Sequence, residues 1–178
     1  MLVFRLSTTI YDGTVEFCQR FLVGFSFRRL VEQMTHAARS GKQNIAEGSL
    51  EKSVESDIKL TGVARASFGE LLEDFKDFLR QRKLPIWEKN DPRIWRIRAF
   101  KEEVGQDTNL TNLANWTNLV LTNPEHFANL MVCLIYKENY LLDQLLRSKE
   151  KDFREKGGFR ENLLRQRREF LQKRNLTN

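Results

Sequence analysis

Histidines and glutamates at helical spacing are the first candidates for metal chemistry in this 178-residue chain. Glu32 and His36 are four residues apart, which places them on one face of a helix. A di-iron site in a four-helix bundle needs inward-facing glutamates together with Glu-x-x-His pairs. Neither His36 nor His126 follows a glutamate by three positions. We therefore interpret Glu32 and His36 as a surface pair and predict no metal or other cofactor.

Carboxylates and cysteines give no stronger catalytic pattern. Glu70, Asp74 and Asp77 share a helical face, but clustered carboxylates without a nucleophile or a ligand set are weak indicators of catalysis. We expect them to pair with cations of a neighbouring helix. Cys18 and Cys133 lie among apolar residues without a sequence-local activating group, which is typical of small buried side chains.

Phosphate-binding loops are also missing from the sequence, because Gly157 and Gly158 lack the strand and the motif that such a loop requires. These patterns together predict a protein without enzymatic activity. The alternatives are an enzyme whose active site forms between subunits and a module that only binds other proteins.

Positive charge is concentrated toward the end of the chain. The net charge is +6; residues 1–150 contain 21 Lys/Arg and 20 Asp/Glu, whereas residues 151–178 contain 9 and 4. Clustered cations can bind the phosphates of RNA or DNA, although many charge runs are only solvated faces. The candidate residues for binding nucleic acid or a partner are Arg28, Arg29, Arg39, Lys42, Arg160, Arg165, Arg167, Arg168, Lys173 and Arg174.

The composition favours an all-α fold, since the chain has only three prolines and nine glycines and is 40% hydrophobic. No apolar run approaches the roughly 18 residues that span a bilayer. No secretory segment is recognisable, so we expect a cytoplasmic protein without a membrane partner.

Four long helices are predicted from periodicity and capping residues. The first begins at Ser7 to Thr9 and ends at Gly24, and the second ends with Gly48 at the left-handed C′ position. The third opens near Ser53 and continues to Leu84-Pro85. Two apolar seams alternate steps of three and four residues: Phe27, Val31, Met34, Ala38, Gly41 and Ile45; and Thr61, Ala64, Phe68, Leu71, Phe75 and Phe78.

The fourth helix starts at Thr122 or Asn123 and is apolar on more than one side, so either the preceding connection or another subunit covers its second face. Tyr136 and Tyr140 are candidate interface residues. The apolar residues of this helix include Phe127, Leu130, Met131, Leu134, Ile135, Leu141, Leu142, Leu145 and Leu146.

Two further segments complete the predicted architecture. Asp91-Pro92 begins a short helix inside the connection 85–123, whose Trp95 and Trp116 are expected to pack on the bundle. A break at residues 157–158 precedes a basic helix that Phe159 and Phe170 would dock. We predict an antiparallel up-and-down four-helix bundle over residues 1–150, with a helical insertion at 85–123 and a basic helical suffix at 151–178.

Polar rows flank both seams. On the second helix the row is Ala37, Ser40, Asn44 and Glu47; on the third it is Val63, Ser67, Glu70, Asp74 and Asp77. The first four amides of a helix need partners. We expect Asn44 and Glu47 to bind the amides that open the third helix, and the alternative is that they contact a partner protein or nucleic acid.

Two segments, HAARSGKQNIAEGS and VARASFGELLEDF, resemble a four-helix-bundle family encoded within intervening sequences of bacterial 23S ribosomal RNA genes. The family pattern is close to A-A-x-S-x-x-x-N-I-A-E-G, followed on the next helix by a small residue, Ser, two variable positions, Glu and Leu. The resemblance covers about residues 8–84 well and the fourth helix only by pattern. The matching residues are Ala37, Ala38, Ser40, Asn44, Ile45, Ala46, Glu47, Gly48, Ala66, Ser67, Glu70 and Leu71.

The resemblance implies a non-enzymatic bundle that commonly assembles as a pentameric ring. One branch of the family is the accessory protein of diversity-generating retroelements, a basic ring that binds a reverse transcriptase and nucleic acid. The insertion at 85–123 departs from the compact form of the family, whereas the tail after Lys149 looks like the suffix of a longer subgroup. We expect a homo-oligomeric scaffold that binds RNA, DNA or a nucleic-acid-processing protein.

Overall fold

The computed structural model describes residues 2–99 and 121–176, and every regular element in these ranges is a helix. The all-α prediction is therefore confirmed for these residues. A single 3₁₀ turn, Phe25–Phe27, separates the first two helices. The α-helices are α1 (Leu2–Phe21), α2 (Arg28–Leu50), α3 (Val54–Gln81), α4 (Pro92–Ala99), α5 (Pro124–Lys156) and α6 (Phe159–Leu176).

The hydrophobic core lies between four of these helices. Helix α2 packs against α1 and α3, and α5 packs against the same two helices. Phe17 of α1 is fully buried, and its ring contacts Phe75 and Phe127 edge to face at centroid distances of 5.0 and 5.5 Å. The predicted seam of α3 is confirmed, because each of its six residues is buried.

Small residues let α2 and α3 approach closely. A Cβ atom at Gly41 would lie 2.6 Å from the Phe68 ring, and one at Gly48 would lie 2.7 Å from Asp57 Oδ1. Gly48 was predicted to end the second helix in the left-handed conformation, which is wrong. Helix α2 continues to Leu50. The glycine is required by the closeness of α3 rather than by a turn.

Two predicted helix boundaries need correction. Helix α1 begins at Leu2, and the hydroxyls of Ser7, Thr8 and Thr9 donate to backbone carbonyls within the helix instead of capping it. Serine and threonine side chains can also bond the carbonyl one turn earlier inside a helix, so the sequence alone misplaced the start. Helix α3 ends at Gln81, before the predicted Pro85.

Capping at the starts of α3 and α5 follows the sequence. The Ser53 hydroxyl accepts a hydrogen bond from the Ser56 amide, and Asn123 Oδ1 accepts from the amides of Glu125 and His126. Helix α5 runs past position 150 to Lys156. Gly157 has φ 74°, a conformation that favours glycine, and the predicted break at this position is confirmed.

The connection after α3 covers part of α5. Ile94 and Ile97 of α4 are buried, and α4 packs on α5. Asn129 of α5 fixes the segment before α4, since its Nδ2 donates to the Pro85 carbonyl at 3.0 Å and its Oδ1 accepts from the Trp87 amide at 2.8 Å. The described part of the connection therefore shields the second apolar face of α5.

Two aromatic expectations for this connection have different outcomes. Trp95 is 61% exposed, so its predicted contact with the bundle is wrong. In α4 the inward positions belong to Ile94 and Ile97 instead. Trp116 lies outside the described residues. In the described ranges, no helix combines the length and apolarity needed to cross a membrane.

Candidate functional site: an acidic groove and a basic helix

A chain of polar contacts joins α2 to α3. The amide Nδ2 of Asn44 donates to Ser40 Oγ at 3.3 Å, and the Ser40 and Ser67 hydroxyls lie 3.0 Å apart. Ser67 Oγ is also 3.0 Å from the Val63 carbonyl, to which it can only donate. The Ser40 hydroxyl is then the donor to Ser67. One continuous set of hydrogen bonds therefore runs from the second helix to the third.

This geometry contradicts the role predicted for the polar helix end. Asn44 also donates to the Ser40 carbonyl at 2.9 Å and does not reach the start of α3. The Ser53 side chain caps that start instead, so the prediction for Asn44 and Glu47 is wrong. Helix α2 extends through Leu50, and the Glu47 side chain is exposed.

Carboxylates border the same α2–α3 seam on its outer side. Glu47 and Glu70 are both exposed and have no ion pair among the described residues. The contacts between Ser40 and Ser67 and between Gln33 and Asp74 set an antiparallel register in which Ala37 lies opposite Glu70. We call this surface the acidic groove; it is lined by Ala37, Ser40, Asn44, Glu47, Val63, Ala66, Ser67, Glu70, Asp74 and Asp77.

Asp74 is the most perturbed carboxyl of the groove. Gln33 Nε2 donates to its Oδ1 at 3.0 Å, while its Oδ2 is buried without a hydrogen-bond partner. Burial, assisted by the negative charges of Asp77 and Glu70, raises the pKa of Asp74 to about 6. Burial and the neighbouring carboxylates therefore both disfavour ionisation of the Asp74 carboxyl.

The predicted pairing of these acidic residues with cations of a neighbouring helix is wrong. Asp77 bonds Arg80 of its own helix at 2.9 Å, and the partner of Asp74 is the neutral amide of Gln33. Gln33 was missed because a glutamine on an exposed helix face carries no distinctive sequence signal. The polar rows were predicted to lie beside the core rather than face solvent. This is correct for Ser67, which is buried, and wrong for Glu47 and Glu70, which are exposed.

The basic helix α6 extends away from the body of the protein. Each side chain described from Phe159 to Arg174 is exposed except that of Asn162, which is half-buried. Phe170 is 63% exposed, so its predicted docking role is wrong within one chain, and Phe159 is 40% exposed. Cations outnumber carboxylates six to two between residues 159 and 176. Helix α6 brings together Arg160, Arg165, Arg167, Arg168, Lys173 and Arg174.

The residues just before α6 pack against the rest of the chain, whereas the helix itself is exposed. Gly158 is buried, and a Cβ there would lie 2.0 Å from Glu55 Oε1. Hydrogen bonds from Ser53 and from the Phe159 backbone, together with the Arg160 charge, lower the pKa of the Glu55 carboxyl. The N-terminus of α6 is thus attached to the N-terminus of α3, close to one end of the acidic groove.

The cations predicted on α2 are dispersed. Arg28 bonds Glu32 at 3.1 Å, so Glu32 pairs with this arginine and not with His36. The Lys42 ammonium lies 4.2 Å from the centre of the Tyr11 ring, while Arg39 is exposed. Arg29 is exposed on the edge of α2 that also carries Glu47. These residues do not form one cluster comparable with that on α6.

Three polar contacts between α3 and α5 were not predicted. Lys149 of α5 forms an ion pair with Asp57 and bonds Thr61 at 2.8 Å, and Arg65 bonds Asp143 at 2.9 Å. Both pairs join α3 to α5 across more than seventy residues of sequence, a separation at which spacing gives no signal. They fix the antiparallel register of these helices.

Both cysteines are buried, as predicted. Burial, with a contribution from Asp74, raises the pKa of the Cys18 thiol to about 12, and burial also raises the pKa of Cys133. Neither thiol forms a reactive thiolate at neutral pH. No group of three or more His, Cys, Asp or Glu suited to a metal ion occurs in residues 2–99 and 121–176.

Comparison of the chain with protein-family profiles, with curated proteins and with solved structures found no match.

Proposed function

We propose that this protein is a non-enzymatic, homo-oligomeric helical scaffold that binds nucleic acid or a nucleic-acid-processing protein. The observation that carries the proposal is the exposed basic surface of α6. Its cations are exposed, and a cationic helix attracts phosphates without reading a base sequence.

The arrangement of the four long helices supports a scaffold. Helices α1, α2, α3 and α5 each pack against two of the others, which is the contact pattern of an up-and-down four-helix bundle. Exposed aromatic side chains on α5 suit an interface between subunits, since Tyr136 and Tyr140 are 52% and 63% exposed. We include assembly into an oligomer in the proposal for this reason.

Membership of the ribosomal RNA intervening-sequence family is part of the same proposal. The Ser40 to Ser67 contact gives a physical reason for the spacing of the shared motif, because one small polar residue on each helix is needed at the crossing. A pentameric ring, a cytoplasmic location and a reverse transcriptase as partner follow only from the resemblance.

Salt-dependent binding tests the nucleic-acid part. Fluorescence anisotropy with labelled duplex DNA and duplex RNA should show sequence-independent binding that weakens steeply between 50 and 300 mM salt. Replacing Arg165 and Arg168 by Ala should reduce the log–log slope on DNA by about 1.8, since each lost phosphate contact contributes roughly 0.9.

The matched control replaces Arg28 and Arg39 of α2 by Ala and should leave the slope unchanged. If only the α2 variant flattens the slope, the nucleic-acid surface lies on α2. If the intact protein binds neither duplex at 50 mM salt, the nucleic-acid part of the proposal is wrong.

A further inference from the structure

Helix α6 has a second property that nucleic-acid binding does not explain. On a helical projection, Phe159, Leu163 and Phe170 form one apolar row and Leu164 and Leu171 form another. All five side chains are at least 40% exposed. A helix that is only a phosphate-binding arm has no need of such an apolar face.

Arginines lie between these two apolar rows. Arg160, Arg167 and Arg174 recur every seven residues, and no carboxylate shares their face, because Glu161 and Glu169 fall on the other side of the helix. The face is therefore apolar and cationic together. Its complement is a surface of small or apolar residues bordered by carboxylates.

The acidic groove has this composition. Its floor contains Ala37, Ser40 and Ser67, and its exposed apolar contribution is Val63, which is 42% exposed. Four carboxylates border the floor; the cations on the same edges are Arg29 of α2 and Lys59 of α3, and Arg80 pairs with Asp77. Small side chains allow a third helix to approach closely, and the carboxylates can receive its arginines.

The lengths of the two surfaces also agree. Residues 63 to 77 extend about 21 Å along α3, and residues 159 to 174 extend about 23 Å along α6, at 1.5 Å per residue. Arginines spaced seven residues apart fall about 10 Å from one another, which equals the separation of Glu70 and Asp77 along α3, and in the register of the two helices Glu47 lies about 15 Å beyond Glu70. Within one chain α6 does not cover this groove, since α6 is exposed and so are Glu47, Glu70 and Asp77 at the border of the groove. Ala37 and Ser67 lie beneath them and are buried in the α2–α3 seam.

We propose that α6 of one subunit binds the acidic groove between α2 and α3 of a second copy of this chain. The contact joins two different surfaces, so its repetition gives a ring when the rotation between subunits closes and an open filament when it does not. Arg165 and Arg168 remain outside the contact and available to phosphates. This inference rests on the proposed homo-oligomer and specifies which surfaces form it.

A charge-reversal experiment on the full chain tests the contact. The docking variant carries Arg160→Glu and Arg167→Glu, and the matched control carries Arg165→Glu and Arg168→Glu, so that both change the net charge equally. Light scattering at micromolar concentration should give a smaller particle for the docking variant and the wild-type mass for the control. Circular dichroism should show that both variants stay helical.

Restoration provides the decisive measurement. Adding Glu47→Arg and Glu70→Arg to the docking variant reverses both surfaces and should return the wild-type mass. Assembly that survives the docking variant would overturn the contact while leaving the scaffold proposal intact. A wild-type monomer would instead contradict the oligomer in the proposed function, and the inference would fail with it.

Discussion

The hydroxyl oxygens of Ser40 and Ser67 lie 3.0 Å apart where α2 crosses α3. This contact is the meeting point of the two motif segments, and the two serines are 27 positions apart in the sequence. Because Ser67 uses its own proton on the Val63 carbonyl, the pair depends on donation from Ser40.

Replacing either serine by alanine should therefore destabilise the protein. We expect Ser40→Ala to lower the free energy of unfolding by about 1 to 2 kcal/mol, because it removes the donor to Ser67 and the acceptor of Asn44. Ser67→Ala should cost a similar amount. Urea denaturation of both single variants and the double variant gives their coupling energy, and strict additivity would contradict a direct hydrogen bond.

Asn44 and Glu47 should differ in their effects on stability. Asn44→Ala removes two side-chain hydrogen bonds and should lower the free energy of unfolding by about 1 kcal/mol. In the Arg160→Glu, Arg167→Glu background, where the proposed contact between subunits is lost, Glu47→Ala should leave the thermal midpoint unchanged, because within one chain the side chain is exposed and unpaired among the described residues. Calorimetry on the two variants separates these outcomes, and equal losses would restore the capping role predicted from sequence.

Replacing two glycines of the bundle by alanine should change the stability in opposite directions. Gly41→Ala places a Cβ 2.6 Å from the buried Phe68 ring and should destabilise by about 1 to 3 kcal/mol through overpacking. Gly62→Ala meets no atom within 4 Å and should stabilise by about 0.5 to 1 kcal/mol through helix propensity. Chemical denaturation measures both, and a stable Gly41→Ala variant would mean that α2 and α3 are further apart.

Asp74 should make stability depend on pH. Its folded pKa of about 6 is above the ordinary value of 3.8, so the folded state binds more protons between these values. The contribution of the group to stability is consequently greatest below pH 4 and is lost as the pH rises through 6. The groups facing it are Glu70 and Asp77 on its own helix, Gln33 on α2 and Cys18 on α1.

Asp74→Asn should remove this loss of stability at rising pH, because the side-chain amide stays neutral between pH 5 and pH 7.5. We expect a higher thermal midpoint than wild type at pH 7.5 and a smaller difference between pH 5 and pH 7.5. Asp77→Asn is the matched control, since Asp77 is exposed and bonded to Arg80. Identical pH profiles for wild type and Asp74→Asn would show that this carboxyl is not the titrating group.

The sequence by itself determined the class of fold and most of its helices. Apolar residues at steps of three and four gave the seam of α3, and Ser53, Asn123 and Gly157 marked helix ends, because these signals act within one or two turns of chain. Counting charged residues along the sequence also placed the surplus of positive charge on the final helix, since charge can be counted without coordinates.

Only the tertiary structure decided what those residues contact. Gly48 is a point of close approach and not a helix stop, and Asn44 bonds Ser40 and not the start of α3. The pairing of Gln33 with Asp74 and of Arg65 with Asp143 depends on the distance and rotation between whole helices. Helical periodicity tells which residues share a face, but the register between two helices is fixed by three-dimensional packing of their side chains.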